Sequence, residues 1–446
     1  VDPLGNAVTN TYDARGLLLA VSNRFGVVVT NHYDGQGRLV SSRDALLTVT
    51  TNWYDTTNNL VRTATGYYTN GAFTELAYTG YAYDPSGNLL YVTNALGVRT
   101  GHGYDAQGRT VAVTNAFGTA EQTVTRTVYD LAGRMAQRID PLSVVAAYGY
   151  DALGRRVSVT NALGTAVQQV LRYAYDAEGS LTNSTDGLGR DTAFAHDALG
   201  RQFATLPPAT VSGGPRHGVT NHFDVLGRKV RTADQASRTT GFQYDALGRL
   251  TRVTNALGKL TGYGHDAAGN QTNQTDARAT AYTHDLLGRR VERRLPGNVW
   301  EGWAYDLLGR TQYRTNFDGV VITHEYDRLG RLTRRRQGAT VLEECQYSAL
   351  GQLTNRVDAA GTHAWRYDAA GRLRTNTTPA GALYYGYDDA GRLTALGTGT
   401  AGGVTNQYQY DALGRLTNVV DLRLATAAKN TGYGYDGAGN LQWVKY

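Results

Sequence analysis

The sequence predicts an all-β fold: a continuous antiparallel array of β-hairpins that curls into a spiral shell, hollow barrel or tube. Two observations carry that prediction. An aromatic-Asp-x-x-Gly unit recurs twenty times along the 446 residues, and ten of the nineteen intervals between successive units are 21 residues. Between the units lie segments of about six residues, rich in Thr, Val, Leu and Tyr, too short for helices and without helical spacing.

The turns come first. The units begin at Tyr12-Asp13, Tyr33-Asp34 and Tyr54-Asp55 and continue to Tyr410 and Tyr435. Asp at the head of a turn accepts a hydrogen bond from a backbone N–H two residues on, and Gly supplies a positive φ. A four-residue type I turn closed by a left-handed Gly is a common hairpin connection. Asn58, which replaces the Gly in Tyr54-Asp-Thr-Thr-Asn58, is the next residue most tolerant of that region. A second Asn/Asp-x-x-Gly unit lies midway in many repeats, as at Asn94–Gly97, Asn161–Gly164, Asp186–Gly189 and Asn255–Gly258, with Asp2-Pro-Leu-Gly5 the first of them. Each repeat therefore holds two turns and two short strands. The sets Tyr104, Asp105, Gly108, Arg109; Tyr150, Asp151, Gly154, Arg155; Tyr244, Asp245, Gly248, Arg249; and Tyr410, Asp411, Gly414, Arg415 represent its structural turn and ladder positions.

The strands come next. Side chains alternate along a strand, so the residue two before each motif Tyr shares its face. That slot is aromatic at Tyr81, Tyr148, Tyr173, Phe242, Trp303 and Trp365, among others. Stacked on equivalent strands, these rings are expected to form aromatic ladders on the more buried face. Roughly forty strands at about 4.8 Å each give a sheet edge on the order of 190 Å. Sheets of that length twist and curl, and a circuit that nearly closes is about 60 Å across, enclosing a lumen.

Composition excludes several classes. The lone Cys345 rules out an internal disulfide, and no run approaches the eighteen or so apolar residues of a membrane helix. The chain begins at Val1 without a leader, which reads as a processed product or a fragment. The formal charge is +6, with 40 Arg against 4 Lys. Thirteen of the Arg follow a motif Gly, where cross-repeat pairing with turn Asp and stacking on ladder Tyr account for them. Arg289-Arg290, Arg293-Arg294 and Arg334-Arg335-Arg336 are the best support for a basic surface, but scattered repetition argues against one groove, and nucleic acid is disfavoured as a partner.

No catalytic, cofactor-binding or metal residues are assigned. The nineteen motif Asp occupy the turn position that Asp favours for backbone reasons, and Ser348 replaces the twentieth. Glycosidase chemistry needs two carboxylates set apart from the repeat, and calcium takes six to eight oxygens where each turn offers one carboxylate. His196, His265 and His284 fill the Tyr slot, His102, His324 and Cys345 the slot two earlier, and all read as packing substitutions. The Gly-rich turns are not a phosphate loop, because no Lys-Ser or Lys-Thr follows them.

The organisation is a single array over 1–446 without a separate catalytic or cargo domain. Longer hairpins are expected near 60–80, which includes Gly66–Gly71, and near 205–220, which includes Pro207-Pro208. Such loops serve as binding loops, plugs or rim contacts. Val1 and Lys445-Tyr446 lie at the same phase of the repeat, so the sheet is expected to continue into further polypeptide or into head-to-tail copies.

Tyr-Asp-Ala-Leu-Gly-Arg-Leu-Thr, at 244–251 and again at 410–417, resembles the YD repeat of rearrangement-hotspot (Rhs) proteins, which also occurs in the C component of insecticidal toxin complexes, bacterial wall-associated proteins and teneurins. The resemblance covers nearly the whole chain. It implies a β-hairpin spiral around a toxic C-terminal polypeptide in the bacterial cases and an adhesive shell in teneurins. Complete bacterial shells end in an Asp-Pro-containing core that releases the cargo. Asp2-Pro3 and Asp140-Pro141 sit at ordinary mid-repeat turns, so self-cleavage is not transferred to them. The resulting expectation is a non-enzymatic shell segment of a secreted or surface bacterial protein, enclosing a polypeptide. The alternative is a self-assembling fibre, or an adhesive protein binding cell-surface glycan. Replacing Gly248 or Gly414 by Val places a β-branched residue at a positive φ and is expected to cost about 1–2 kcal/mol locally. Unchanged resistance to proteolysis in both variants would contradict the turns.

Overall fold

The computed structural model describes residues 5, 7–209, 215–276, 278–399, 405–422 and 429–446. Asp2-Pro3 and part of the 205–220 insertion lie outside the described residues. The fold is an antiparallel hairpin sheet of forty strands, from Thr9–Tyr12 to Leu441–Lys445, and the one helical element among the described residues is a 3-10 turn at Pro296–Asn298.

The repeat dictates the register. In the hairpin of Thr239–Tyr244 with Leu250–Thr254, Phe242 faces Val253 and Gln243 faces Arg252; the pairing then slips so that Tyr244 faces Leu250. The slip is a bulge absorbed by Gly248, whose φ is +81°. The same slip precedes Tyr33, Tyr54, Tyr150, Tyr326 and Tyr435. Asn58 takes φ +70°, confirming that its turn needs the left-handed conformation.

Mid-repeat turns use the same geometry where they are four residues long. At Asn94 the side-chain Oδ1 accepts from Leu96 and Val98 N–H, both at 3.0 Å. Asp140-Pro141 is another such turn, with Oδ1 of Asp140 accepting from Leu142 at 3.0 Å and Val144 at 2.8 Å. Asn161–Gly164 differs from the expected turn. Asn161 ends the strand Arg156–Asn161 and faces Gln169, while Ala162 takes the positive φ of +50°. The interval from Tyr150 to Tyr175 carries four extra residues, and they lengthen this connection beyond a tight turn.

The alternation also sets the two faces. Along Gln169–Tyr175, Leu171, Tyr173 and Tyr175 are half-buried while Arg172 and Ala174 are exposed. The motif Tyr therefore lies on the better shielded face of this strand. Full burial is rare: among the described residues, Val49, Ala64, Ala116, Val159, Ala162, Ala204 and Cys345 are the buried apolar ones. They are mostly small, so hydrogen-bonded ladders and half-buried contacts between neighbouring hairpins hold the fold, as in other repeat architectures.

The chain divides into two compact units. The first comprises Val1–His102, Asn115–Ala120 and Gly262–Ala380; the second comprises Gly103–Thr114, Glu121–Thr261 and Gly381–Tyr446. Each unit contains a lateral seam between segments far apart in sequence. In the first, Arg328 Nη1 donates to the Leu46 carbonyl at 3.2 Å, and Thr48 Oγ1 donates to the Arg328 carbonyl at 3.2 Å. The same guanidinium lies 4.3 Å from the centre of the Tyr67 ring. Tyr67 belongs to the long hairpin of Leu60–Thr69 and Ala72–Tyr83, closed by Asn70 and Gly71 at positive φ. The lengthening near 60–80 thus contributes a ring to the seam.

In the second unit, Gln169 Nε2 donates to the Gly437 carbonyl at 2.8 Å, and Gly187 and Leu188 approach Gly437. A Cβ on Gly187 would collide with that carbonyl oxygen, although Gly187 itself has no positive φ. In a free turn Gly→Ala is neutral or mildly stabilising. In this seam Gly187→Ala is expected to destabilise by about 1–3 kcal/mol and to open residues 436–439 to protease. Equal or raised stability on urea unfolding would remove the seam.

Candidate functional site

The recurrent chemistry of this chain is a clamp assembled at the motif turns whose Gly is followed by Arg. Asp245 shows its parts. Oδ1 accepts from Leu247 N–H at 3.0 Å and Arg249 N–H at 2.9 Å, and Oδ2 accepts from Arg249 Nε at 2.6 Å. The backbone closes the turn through Gly248 N–H to the Asp245 carbonyl at 3.0 Å. One carboxylate thereby satisfies two backbone donors inside the turn and anchors the guanidinium that follows it.

That guanidinium joins one repeat to the next. Arg228 holds Asp224 through Nε at 2.7 Å, donates from Nη1 to the Asp245 carbonyl at 3.0 Å, and lies 5.0 Å from the Tyr244 ring centre. Tyr244 Oη donates to the Lys229 carbonyl at 2.8 Å. Every link is modest: an exposed ion pair contributes about 0–1 kcal/mol and an exposed cation–π contact about 0.5–1 kcal/mol. Recurrence along the sheet is what gives them weight.

The other sets follow the pattern. Asp105 accepts from Arg109 Nε at 2.8 Å, Gly108 has φ +75°, and Arg109 lies 4.6 Å from the Tyr129 ring centre. Tyr104 ends the strand Arg99–Tyr104. Tyr150 Oη donates to the Met135 carbonyl at 2.9 Å; Asp151 holds Arg155 Nε at 2.7 Å beside Gly154 at φ +80°; and Arg155 reaches the Asp176 carbonyl at 2.8 Å. Tyr410 Oη donates to the Leu393 carbonyl at 2.8 Å, Asp411 holds Arg415 Nε at 2.7 Å beside Gly414 at φ +78°, and Arg415 lies 4.8 Å from the Tyr435 ring centre.

Two details differ from the sequence expectation. Motif Arg pairs with the Asp of its own turn; its cross-repeat contacts are to a carbonyl and a ring. The expected ladder of stacked rings is a ladder in which Arg alternates with Tyr. Ring pairs such as Tyr68 with Phe73, Tyr91 with Phe117 and His363 with Trp365 lie outside the motif tyrosines. A guanidinium between successive rings satisfies the Asp and the ring together, which ring-on-ring stacking cannot do.

Substitutions show which part of the clamp each atom supplies. Phe223 keeps the cation–π contact, with Arg201 at 4.9 Å from its centre, but has no hydroxyl to donate. His196 and His284 fill the slot yet leave Nδ1 buried without a partner. Cys345 is buried, 3.3 Å from Glu343 Oε1, and burial together with that carboxylate pushes its thiol up to about 11. A thiol so protonated is a poor nucleophile.

One constellation escaped the sequence reading. Glu301 is buried and holds both Arg293 at 2.6 Å and Arg314 at 3.0 Å. Arg335 pairs with Glu343, and Arg356 with Asp358 at 2.9 Å. The recurrence of Arg293, Arg314, Arg335 and Arg356 at 21-residue steps was the available signal. Acids also meet other members of the basic clusters, across strands or along one. Arg334 binds Glu325 and Glu344, Arg336 lies 3.6 Å from Glu325, and Arg294 binds Glu292. Among the described residues, no group of three or more His, Cys, Asp or Glu could hold a metal ion.

The carboxylates of Asp151, Asp197, Asp224 and Asp245 titrate low. Backbone N–H donation from Arg249 leads in holding Asp245 below its ordinary 3.8, and Arg228 N–H does the same for Asp224. At Asp151 and Asp197 the guanidinium hydrogen bond leads. A carboxyl whose folded pKa is depressed stabilises the fold fully above its unfolded value and loses that contribution as pH falls through the folded value. Urea midpoints should therefore be insensitive to these groups from about pH 7 to pH 5 and fall below about pH 4. A midpoint that stays level well below that would contradict the clamp.

The RHS Repeat family model matches residues 12–49, 83–120, 123–166, 223–259, 244–281, 347–383 and 387–426, together more than half of the chain. A comparison with curated proteins returns no match. Among solved structures, TcdB2-TccC3-TEV is similar over 98% of this chain and 27% of its own, with a TM-score of 0.61 and 16% identity. The Photorhabdus luminescens Tc holotoxin pore with TccC3-D651A is similar over 97% of this chain and 27% of its own, with a TM-score of 0.58 and 15% identity. TcdB2-TccC3 without its hypervariable C-terminal region gives a TM-score of 0.56 and 18% identity, over 98% of this chain and 25% of its own. The chain thus spans about a quarter of the length of these structures, and at such identities the likeness is one of fold. The motif turns and their clamps, the hairpin register and the family match agree: the chain belongs to the RHS repeat family.

Proposed function

We propose that this chain is a non-catalytic wall segment of a large secreted or cell-surface bacterial protein, and that the wall encloses a C-terminal toxin or effector polypeptide. The observation that carries this reading is the use of the repeat's own chemistry. The motif Asp carboxylates are committed to turn N–H groups and to Arg, and the Tyr hydroxyls to carbonyls of the preceding hairpin. Groups so occupied serve the sheet and are not presented to a substrate. The Tyr-Asp-Gly-Arg sets are, in this reading, structural turn and ladder elements of one array running through residues 1–446.

The fold likeness to proteins described as parts of a Tc holotoxin pore supports containment. A wall of this kind works by exclusion: a paired sheet leaves few free backbone groups and admits neither protease nor bulk polypeptide. The test uses the natural gene product with whatever polypeptide follows this segment. The following polypeptide is expected to resist protease while the wall is intact, to become sensitive once acid or urea opens it, and to give density inside the particle by electron microscopy. Cleavage at the same rate with and without the wall, or an empty particle, would overturn the reading.

A further inference from the structure

In many steps from one motif turn to the next, a guanidinium fills the space between the two turns. Arg228, Arg331 and Arg392 each donate from Nη1 to the carbonyl that heads the following turn. The group also lies against the next Gly, so that a Cβ on Gly133, Gly227, Gly309 or Gly330 would stand within 3.7 Å of an Arg Nη1. Which residue brings the guanidinium is not fixed. Where Leu17 follows the motif Gly, Arg15 takes over, with Nε donating to Asp13 Oδ2 at 2.9 Å and Nη1 to the Asp34 carbonyl at 2.9 Å.

The step from Asp55 to Asp84 is built differently. Asn59 holds the clamp position and stays on its own turn, its Nδ2 donating to Asp55 Oδ2 at 3.1 Å and to Thr57 Oγ1 at 2.9 Å. A Cβ on Gly87 would meet nothing within 4 Å. A cavity of about 370 Å³ lies between the two turns, and its lining includes Asp55, Asn59, Tyr83, Asp84 and Gly87. Asn88 follows in the next turn and holds Asp84 Oδ2 at 2.9 Å, so the cavity lies where two successive clamps lack Arg. Other steps without Arg are closed or altered. Gln352 spans its step and donates to the Gly371 carbonyl at 3.0 Å, Asn270 lies against Gly288, and Ser180 precedes His196 in place of a Tyr.

The groups that receive a guanidinium elsewhere are in place here. Tyr83 Oη donates to the Leu60 carbonyl at 3.0 Å, as Tyr244 does to Lys229, so the ring stands as other motif rings do. The Asp84 carbonyl accepts from Gly87 N–H at 3.0 Å, the bond that the Asp245 carbonyl makes while it also accepts from Arg228. Burial raises the Tyr83 phenol, and Tyr81 and Asp55 push it further the same way, whereas at Tyr326 Arg310 works against burial.

The geometry points to a binding site for the guanidinium of an arginine side chain presented by another polypeptide. Asp55 Oδ2 and the Asp84 carbonyl accept from its fork, and the Tyr83 ring supplies the face on which it lies. Arg328 sets the precedent for delivery from a distant segment, since it donates to the Leu46 carbonyl and covers the Tyr67 ring. A lysine ammonium has no planar fork with which to meet both acceptors and the ring together. The site is independent of containment: binding here and protection of an enclosed polypeptide are separate measurements, and either can fail alone.

The experiment is ligand-observed NMR on the full 446-residue chain, with acetyl-Gly-Arg-Gly-amide as the probe beside its Lys counterpart and agmatine. Saturation transfer to the Arg side chain is expected at millimolar peptide, because the site is open and its individual contacts are weak. Asn59→Arg should lower the affinity at least about tenfold, by filling the cavity from within. Its urea midpoint should equal or exceed that of the unaltered chain, since it installs the usual clamp. Val225→Arg, which adds the same charge at an exposed position of the second unit, should leave binding unchanged. The Lys peptide should bind several-fold more weakly, and agmatine no more tightly than the Arg peptide. Unchanged binding by Asn59→Arg, a fall in its urea midpoint, equal binding of the Lys peptide or no transfer from the unaltered chain would overturn the inference. Agmatine binding far more tightly than the peptide would overturn it too, by assigning the site to a small free guanidine.

Discussion

The carboxylate that heads nearly every motif turn is the constraint on which the rest depends. By accepting from the N–H groups two and four residues on, Oδ1 satisfies donors that a tight reversal would otherwise leave to water. The left-handed Gly then lets the chain return with a one-residue slip in register. Without that slip the Tyr would pair out of phase with the opposing strand. With it, the ring stands where the previous repeat's Arg can cover it. Turn, bulge, ring and guanidinium are consequences of one local geometry, and this explains why they recur as a block.

A second level of order comes from edges. Antiparallel pairing joins each hairpin to its sequence neighbour and says nothing of what lies beside the turns. The seams supply that. Arg328 meets Leu46 and Tyr67, and Gln169 meets Gly437, across separations of roughly 270 residues. Such contacts are few and polar, and they rely on close backbone approach at Gly187 and Gly437 more than on apolar burial. With so few fully buried side chains, the array resembles a laminated sheet held by repeated small terms.

The same view recasts the charge. A surplus of Arg suggests an anionic partner when counted along a sequence. In the fold, Arg289 and Arg310 hold turn Asp residues, Arg293 and Arg314 share Glu301, and Arg334 and Arg336 share Glu325. Glu301 and Glu325 lie on strands neighbouring the Arg they hold, at sequence distances set by the hairpin.

Much of this was legible in the residues themselves. The Asp-x-x-Gly period, the aromatic slots and the tolerance of Asn58 for a positive φ follow from properties of single residues and from a fixed repeat, so the hairpin array could be read from the sequence alone. The candidate clamp was legible in its members, Tyr244, Asp245, Gly248 and Arg249, but not in its wiring, because which Asp an Arg reaches depends on the bulge and on the offset between hairpins. Asn161 looked like a turn and ended a strand, since four added residues relaxed the local demand. Tertiary structure alone decided the seams and the pairing of Glu301 with two arginines. Those depend on which distant edges meet, and no short-range pattern of residue types encodes a meeting between turns hundreds of residues apart.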